Sequence, residues 1–169
     1  MRKVSILLVL GLMVLAVAGC GGGEQALEDT QIIIGLQAEP TPLDPAQLTD
    51  YNSSRAAMEM YDSLIRFKDG STELEPGLAT EWEISDDGLE YTFKLRQGVK
   101  FHDGTPFDAD AVKFNIDRQI DPEHPYHDTG EFGYADFTFG MVEEVVVVDA
   151  ETVKIILNEP FAPFLANMA

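Results

Sequence analysis

One thiol and three imidazoles are the side chains best suited to nucleophilic attack, metal ligation or proton transfer near neutral pH. They are Cys20, His102, His124 and His127. A lone cysteine excludes an internal disulfide. His124 and His127 share a proline-containing stretch with Glu123, Asp128 and Glu131, a nitrogen and oxygen set of the kind that ligates transition metals. Two histidines among acids are more often solvated surface, and that reading is preferred, so no metal is expected. His102-Asp103-Gly104 invites an acid–base role, but with Pro106 close behind it reads as a turn. No serine stands in a nucleophile elbow and no glycine-rich loop is placed to cradle phosphate. No catalytic residue and no cofactor is therefore expected.

Cys20 has the most informative surroundings. Met1-Arg2-Lys3 is followed by an apolar run from Val4 to Ala18, interrupted only by Ser5 and Gly11, then by the small-residue sequence Val17-Ala18-Gly19. A basic start, a short apolar stretch and a small-residue cleavage site make a secretory signal. The run is short for a bilayer span, which takes about 20 residues. With cysteine directly after the cleavage site, the segment resembles a bacterial lipoprotein signal, in which the thiol receives a diacylglycerol. Two acyl chains hold a protein firmly at a membrane, at roughly 0.8 kcal/mol per buried methylene. Residues 1–19 are thus expected to be signal peptide, and residues 20–29, opening with Gly21-Gly22-Gly23, a flexible tether.

The chain has 169 residues, of which 45% are hydrophobic, enough for a globular body with a real core. All 30 acids follow Cys20, and two of the 11 bases precede it, so the remainder carries 9 bases and a net charge of −21. Phosphates would be repelled, which excludes nucleic acid as a partner. Adsorption to anionic lipid is disfavoured for the same reason. The acids are spread along the chain, as on a well-solvated surface; adaptation to high salt is the sharper alternative.

The elements follow from pattern. Gln31 to Gln37 is apolar and β-branched and reads as a strand, stopped by Pro40, Pro42 and Pro45. Ser53 to Leu64 reads as a helix with Ala56, Met60 and Leu64 on one face. Lys68 to Ser71 is a turn. Glu81–Ser85 and Glu90–Leu95 alternate around Asp86-Asp87-Gly88 and form a hairpin, with Trp82, Ile84, Tyr91, Phe93 and Leu95 expected in the core. Asp108 is an N-cap for a helix to about Ile120, with Val112, Ile116 and Ile120 aligned. Asp121 to Phe132 is a loop. Val142–Val148 and Thr152–Leu157 make a second hairpin around Asp149-Ala150-Glu151. The expected class is α+β, antiparallel strands covered by a helix.

Two stretches carry a family resemblance. Pro76 to Arg96, reading PGLATEWEISDDGLEYTFKLR, and Gly98 to Val112, reading GVKFHDGTPFDADAV, resemble the signature of family 5 extracellular solute-binding proteins. These are the oligopeptide-, dipeptide- and nickel-binding components of ABC importers. Leu43-Asp44-Pro45, Tyr61-Asp62-Ser63-Leu64 and Leu157 to Leu165 extend the likeness over nearly all of the chain after Cys20. The resemblance implies the N-terminal part of a bilobed, type II periplasmic-binding-protein-like fold. Members usually run to the order of 500 residues, beyond a single domain. It implies a first strand and helix of lobe I at 30–60, an α+β subdomain carrying the signature at 61–160, and a return into lobe I at 161–169. The ligand segment implied is Thr49, Asp50, Tyr51 and Asn52, with Tyr51 packing on a ligand side chain and Asp50 meeting an amine. The plainer alternative for these four is a surface loop and a helix N-terminus.

The function implied is capture of oligopeptides, dipeptides or a similar solute outside the membrane, with delivery to ABC permease subunits and their ATPases. The partners are then a peptide or other small solute, the permease, and the membrane through the lipid at Cys20, the binder itself a monomer without enzymatic activity. Nickel- or oligosaccharide-binding within the family, or an independent surface lipoprotein, are the alternatives. For residues 20–169 alone, no measurable ligand binding is expected, with Ile32–Leu36 lacking sheet neighbours and Phe161–Ala169 loosely held.

Overall fold

The structure, a computed structural model, describes residues 33–169. The signal, Cys20 and the tether lie outside the described residues. Residues 33–35 fall in a separate unit from residues 36–169. No ladder forms at 33–36, where a strand was expected, and Ile33 and Ile34 are exposed. A β-branched run becomes a strand only where a neighbour takes its amides and carbonyls.

From Leu36 onward the chain makes one 3-10 turn, Pro45–Gln47, capped by Asp44, and then helix α1, Tyr51–Met58. Strands β1, Ile65–Phe67, and β2, Leu74–Pro76, pair antiparallel across the expected turn. Strands β3, Ala79–Ile84, and β4, Glu90–Leu95, form the first predicted hairpin, with Gly88 in its turn at φ 72°. Helix α2, Ala109–Ile120, starts where expected, because the Asp108 carboxylate accepts the Ala111 amide at 3.0 Å. A 3-10 turn at His127–Thr129 interrupts the following loop, and a short helix α3, Ala135–Phe139, closes it. Strands β5, Val142–Asp149, and β6, Thr152–Leu157, form the second hairpin, and helix α4, Phe164–Asn167, follows. The four longer strands make one antiparallel sheet in the order β3-β4-β6-β5.

The core lies on one face of that sheet. Phe93, Leu95, Val153, Ile155, Leu157 and Val145 point into it, and α2 covers them with Ala109, Val112 and Ile116. Lys113 fastens the helix to the edge strand, its Nζ donating to the Val145 carbonyl at 2.8 Å. β3 is the opposite edge, and there the core expectation fails in part. Trp82 is half-buried and Ile84, at the end of the strand, is 47% exposed.

Two further expectations are corrected. Helix α1 runs over Tyr51–Met58 and not 53–64. It begins early because Asp50 caps it. It ends early because the Met60 and Tyr61 amides both turn back to the Ala57 carbonyl, while the Ser63 and Leu64 carbonyls are taken by the amides of residues 77–79 at 2.8–3.2 Å. Long-range backbone bonds thus outbid helical propensity. The 161–169 segment is docked, not loose: Phe164 is fully buried and sets its ring edge-on to Tyr91 at 4.8 Å. Among the described residues, no helix is long and apolar enough to cross a membrane.

Candidate ligand-binding segment

Thr49, Asp50, Tyr51 and Asn52 enter the fold at the first turn of α1. Asp50 is its N-cap: one carboxylate oxygen accepts the Asn52 amide at 2.9 Å and the Ser53 amide at 3.0 Å. The second oxygen takes a long contact, 3.5 Å, from the Thr41 hydroxyl. The Ser53 hydroxyl, then its amide, hold the Asp50 carboxyl below the usual carboxylate range, so it is an anion at neutral pH. Tyr51 is 72% exposed and carries the Arg55 guanidinium 5.8 Å over its ring. Thr49 is exposed and Asn52 half-buried. The segment therefore presents an anionic carboxylate next in sequence to an exposed aromatic ring. The first suits an ammonium group and the second an apolar side chain.

A second segment holds this one in place, and sequence reasoning missed the residue that does it. Arg118, near the end of α2, is buried at 9% exposure. Its two terminal nitrogens reach the two Asp44 oxygens at 2.6 and 2.7 Å, its Nε donates to Asn115 Oδ1 at 3.1 Å, and Phe132 lies 5.3 Å under the guanidinium. Asp44 also caps the 3-10 turn through the Ala46 amide at 3.1 Å. Gln47, at the end of that turn, reaches the Thr129 carbonyl at 3.4 Å. Gly130 and Gly133 let the loop come this close, since a β-carbon at either would run into the side chain of Gln47 or Thr49. On the helical wheel Arg118 lies about 200° from Ile116, where a charged residue reads as solvent-facing. Nothing local signals its burial.

The histidines divide. His124 accepts the Tyr126 amide at 3.2 Å and meets Phe114 edge-on at 5.1 Å, whereas His127 Nδ1 sits 3.1 Å from the Arg118 carbonyl. They are not brought to a common point, and among the described residues no three His, Cys, Asp or Glu side chains gather to hold a metal. Asp103 accepts both the amide and the hydroxyl of Thr105, at 2.9 and 2.6 Å, which makes His102-Asp103-Gly104 a turn. An open hollow at the β1–β2 tip is lined by Phe67 to Thr72, consecutive residues of one hairpin, and has the shape of a turn rather than of a cleft.

The Arg118 hydrogen bonds hold the Asp44 carboxyl below its ordinary value, against some opposition from burial. A folded-state value below the unfolded one stabilises the fold fully above the unfolded value, about 3.9, and that stability is lost as pH falls through the lower, folded value. Thermal stability is therefore expected to drop on acidification below about pH 4. Asp44→Asn should shallow that dependence, leaving less to lose. Melting curves between neutral and acid pH check this; an unchanged slope in Asp44→Asn would remove Asp44 as a contributor.

The comparisons with known proteins now bear on this geometry. Residues 73–169 match the family described as bacterial extracellular solute-binding proteins, family 5, middle part. The chain is 45% identical to heme-binding protein A of Haemophilus influenzae, over 76% of this chain and 26% of the relative. It is 37% identical to the dipeptide-binding protein of Escherichia coli, over 99% and 32%. Among solved structures, HbpA2 from Haemophilus parasuis superposes with a TM-score of 0.72 at 40% identity, over 78% of this chain and 28% of that one. DppA from Helicobacter pylori, an ABC-transporter-associated periplasmic binding protein in complex with a peptide, gives 0.68 at 40% identity over the same shares. The described residues are thus an α+β part of a type II periplasmic-binding-protein-like fold. The chain belongs to family 5 of the bacterial extracellular solute-binding proteins, and it spans about a quarter to a third of the length of the relatives it matches.

Proposed function

We propose that this chain belongs to the substrate-binding lipoprotein of an ABC importer that captures di- and tripeptides outside the membrane and delivers them to the permease. The observation that carries the reading is the Asp50–Tyr51 pair at the exposed start of α1. Its carboxylate is an anion at neutral pH, and its ring is open to solvent. An anion beside an aromatic face suits a peptide's amino terminus and adjoining side chain. Relatives named as dipeptide- and di/tripeptide-binding proteins support the same ligand class. Cys20 would carry the lipid that keeps the binder near its permease, and the permease's ATPases would supply the energy. No chemistry falls to the binder.

A thermal-shift series on the full-length protein tests this, with di- and tripeptides set against heme, Ni²⁺ and oligosaccharides. A true ligand at 100 times its dissociation constant stabilises by about 2.7 kcal/mol. That shift is expected for short peptides. Stabilisation by heme alone would replace the peptide reading with the one suggested by the name of the Haemophilus influenzae relative. For the anchor, Cys20→Ser should move the protein from the membrane fraction to the soluble one. Retention of Cys20→Ser in membranes would remove the lipid from the proposal.

A further inference from the structure

We propose that Arg118 is a positioning residue for ligand binding: through Asp44 and Gln47 it clamps the segment that presents Asp50 and Tyr51, so that affinity depends on a side chain with no ligand contact of its own. The inference rests on the assignment of residues 49–52 as ligand-facing.

All three kinds of guanidinium nitrogen are engaged, two of them in parallel bonds to one carboxylate, and the guanidinium face is covered by Phe132. A forked, bidentate pair fixes distance and plane together, which a single charge contact does not. Asp44 passes that constraint on through the 3-10 turn it caps, only six positions before Asp50. The far side of the clamp is held by two longer contacts. The Arg118 carbonyl meets His127 Nδ1 at 3.1 Å, and Gln47 reaches Thr129. The 44–52 segment is thereby tied at two points to α2 and the 127–133 loop. Arg118 is absent from the sheet core, whose members are apolar and to which α2 contributes Ala109, Val112 and Ile116. Loosening the clamp should free the segment without melting the sheet.

The test uses Arg118→Lys, which keeps charge and stem but loses the fork, and Asp44→Asn, which keeps an acceptor for the Ala46 amide but loses the charge. Both are made in the full-length protein. Hydrogen exchange is read at the Asn52 and Ser53 amides and at β4 and β6, and titration calorimetry is run with a panel of di- and tripeptides. Exchange at Asn52 and Ser53 is expected to quicken about tenfold or more, with β4 and β6 unchanged, and peptide affinity to weaken about tenfold. The double variant should be no worse than either single, because the two residues act as one unit. Lys154→Met, which breaks the 2.6 Å pair with Glu90 on the sheet, should leave affinity alone. The proposal is overturned by unchanged exchange at 52–53, by equal loosening of β4 and β6, or by faster local exchange with unaltered affinity. Wild-type protein that binds none of the peptides would instead defeat the peptide reading, and exchange alone would still decide whether Arg118 holds the segment.

Discussion

Phe93→Ala is expected to remove about 3–5 kcal/mol of stability, the usual cost of emptying a fully buried aromatic site. Phe93 has no exposed surface. It sits on β4, an inner strand of the sheet, opposite Trp82 on β3 and Val153 on β6. Both neighbouring strands are locked by their ladders, so the site has little freedom to collapse around a smaller side chain. Against a total stability of about 5–15 kcal/mol for a domain, the loss is a large fraction. Urea denaturation should show a lower midpoint with an unchanged slope, because the surface exposed on unfolding hardly changes. Ile84→Ala is the matched control. Ile84 stands on the edge strand at 47% exposure, and its replacement should fall within about 0.5 kcal/mol. Equal effects at the two positions would mean that the shared face is covered as well at the Ile84 end as at Phe93.

The contrast between those two residues shows what was legible beforehand. Both read as apolar positions of one alternating hairpin, and alternation says only which side chains share a face. Whether the face is covered at a given end depends on what packs there. α2, Phe164 and the β6 strand cover Tyr91, Phe93 and Leu95, whereas Ile84 is left 47% exposed. The hairpins and α2 were legible because each carries its own signals: Asp86-Asp87-Gly88 at a turn, Asp108 at a helix start. The limits of α1 were not. Its cap, Asp50, is local, but its end is decided by amides of residues 77–79 bonding to the carbonyls of residues 63–64.

Of the candidate segment, the helix start was legible in the sequence. Residues 49–52 were placed by resemblance, and their helix N-terminus was the plainer alternative reading; the structure makes Asp50 that cap while leaving Tyr51 open. The Arg118–Asp44 pair was invisible, because its members are 74 positions apart and neither stands in a pattern that demands the other. A buried arginine requires a carboxylate, but burial must be known first.

Phe164→Ala is expected to be nearly as costly as Phe93→Ala, about 3 kcal/mol or more, and to lower the melting temperature by on the order of 10 °C. The segment around it has little else to hold it. Helix α4 is four residues long and has no side-chain cap, too short to be stable by itself. Its attachments are the fully buried Phe164 ring, the half-buried Phe161, Leu165 and Met168, and one bond from the Asn167 amide group to the Phe137 carbonyl at 3.1 Å. Phe164 meets Tyr91 edge-on, an arrangement worth about 0.5–1.5 kcal/mol beyond the area buried. Removing the ring should therefore release α4 and uncover Tyr91 together. A double-mutant cycle with Tyr91→Leu isolates that contact, and a coupling of about 0.5–1.5 kcal/mol is expected. Tyr91 fluorescence should report the same event as greater solvent exposure in Phe164→Ala. A variant that melts like the wild type would show that the ring contributes nothing to holding α4, and would restore the loosely held 161–169 segment that the sequence suggested.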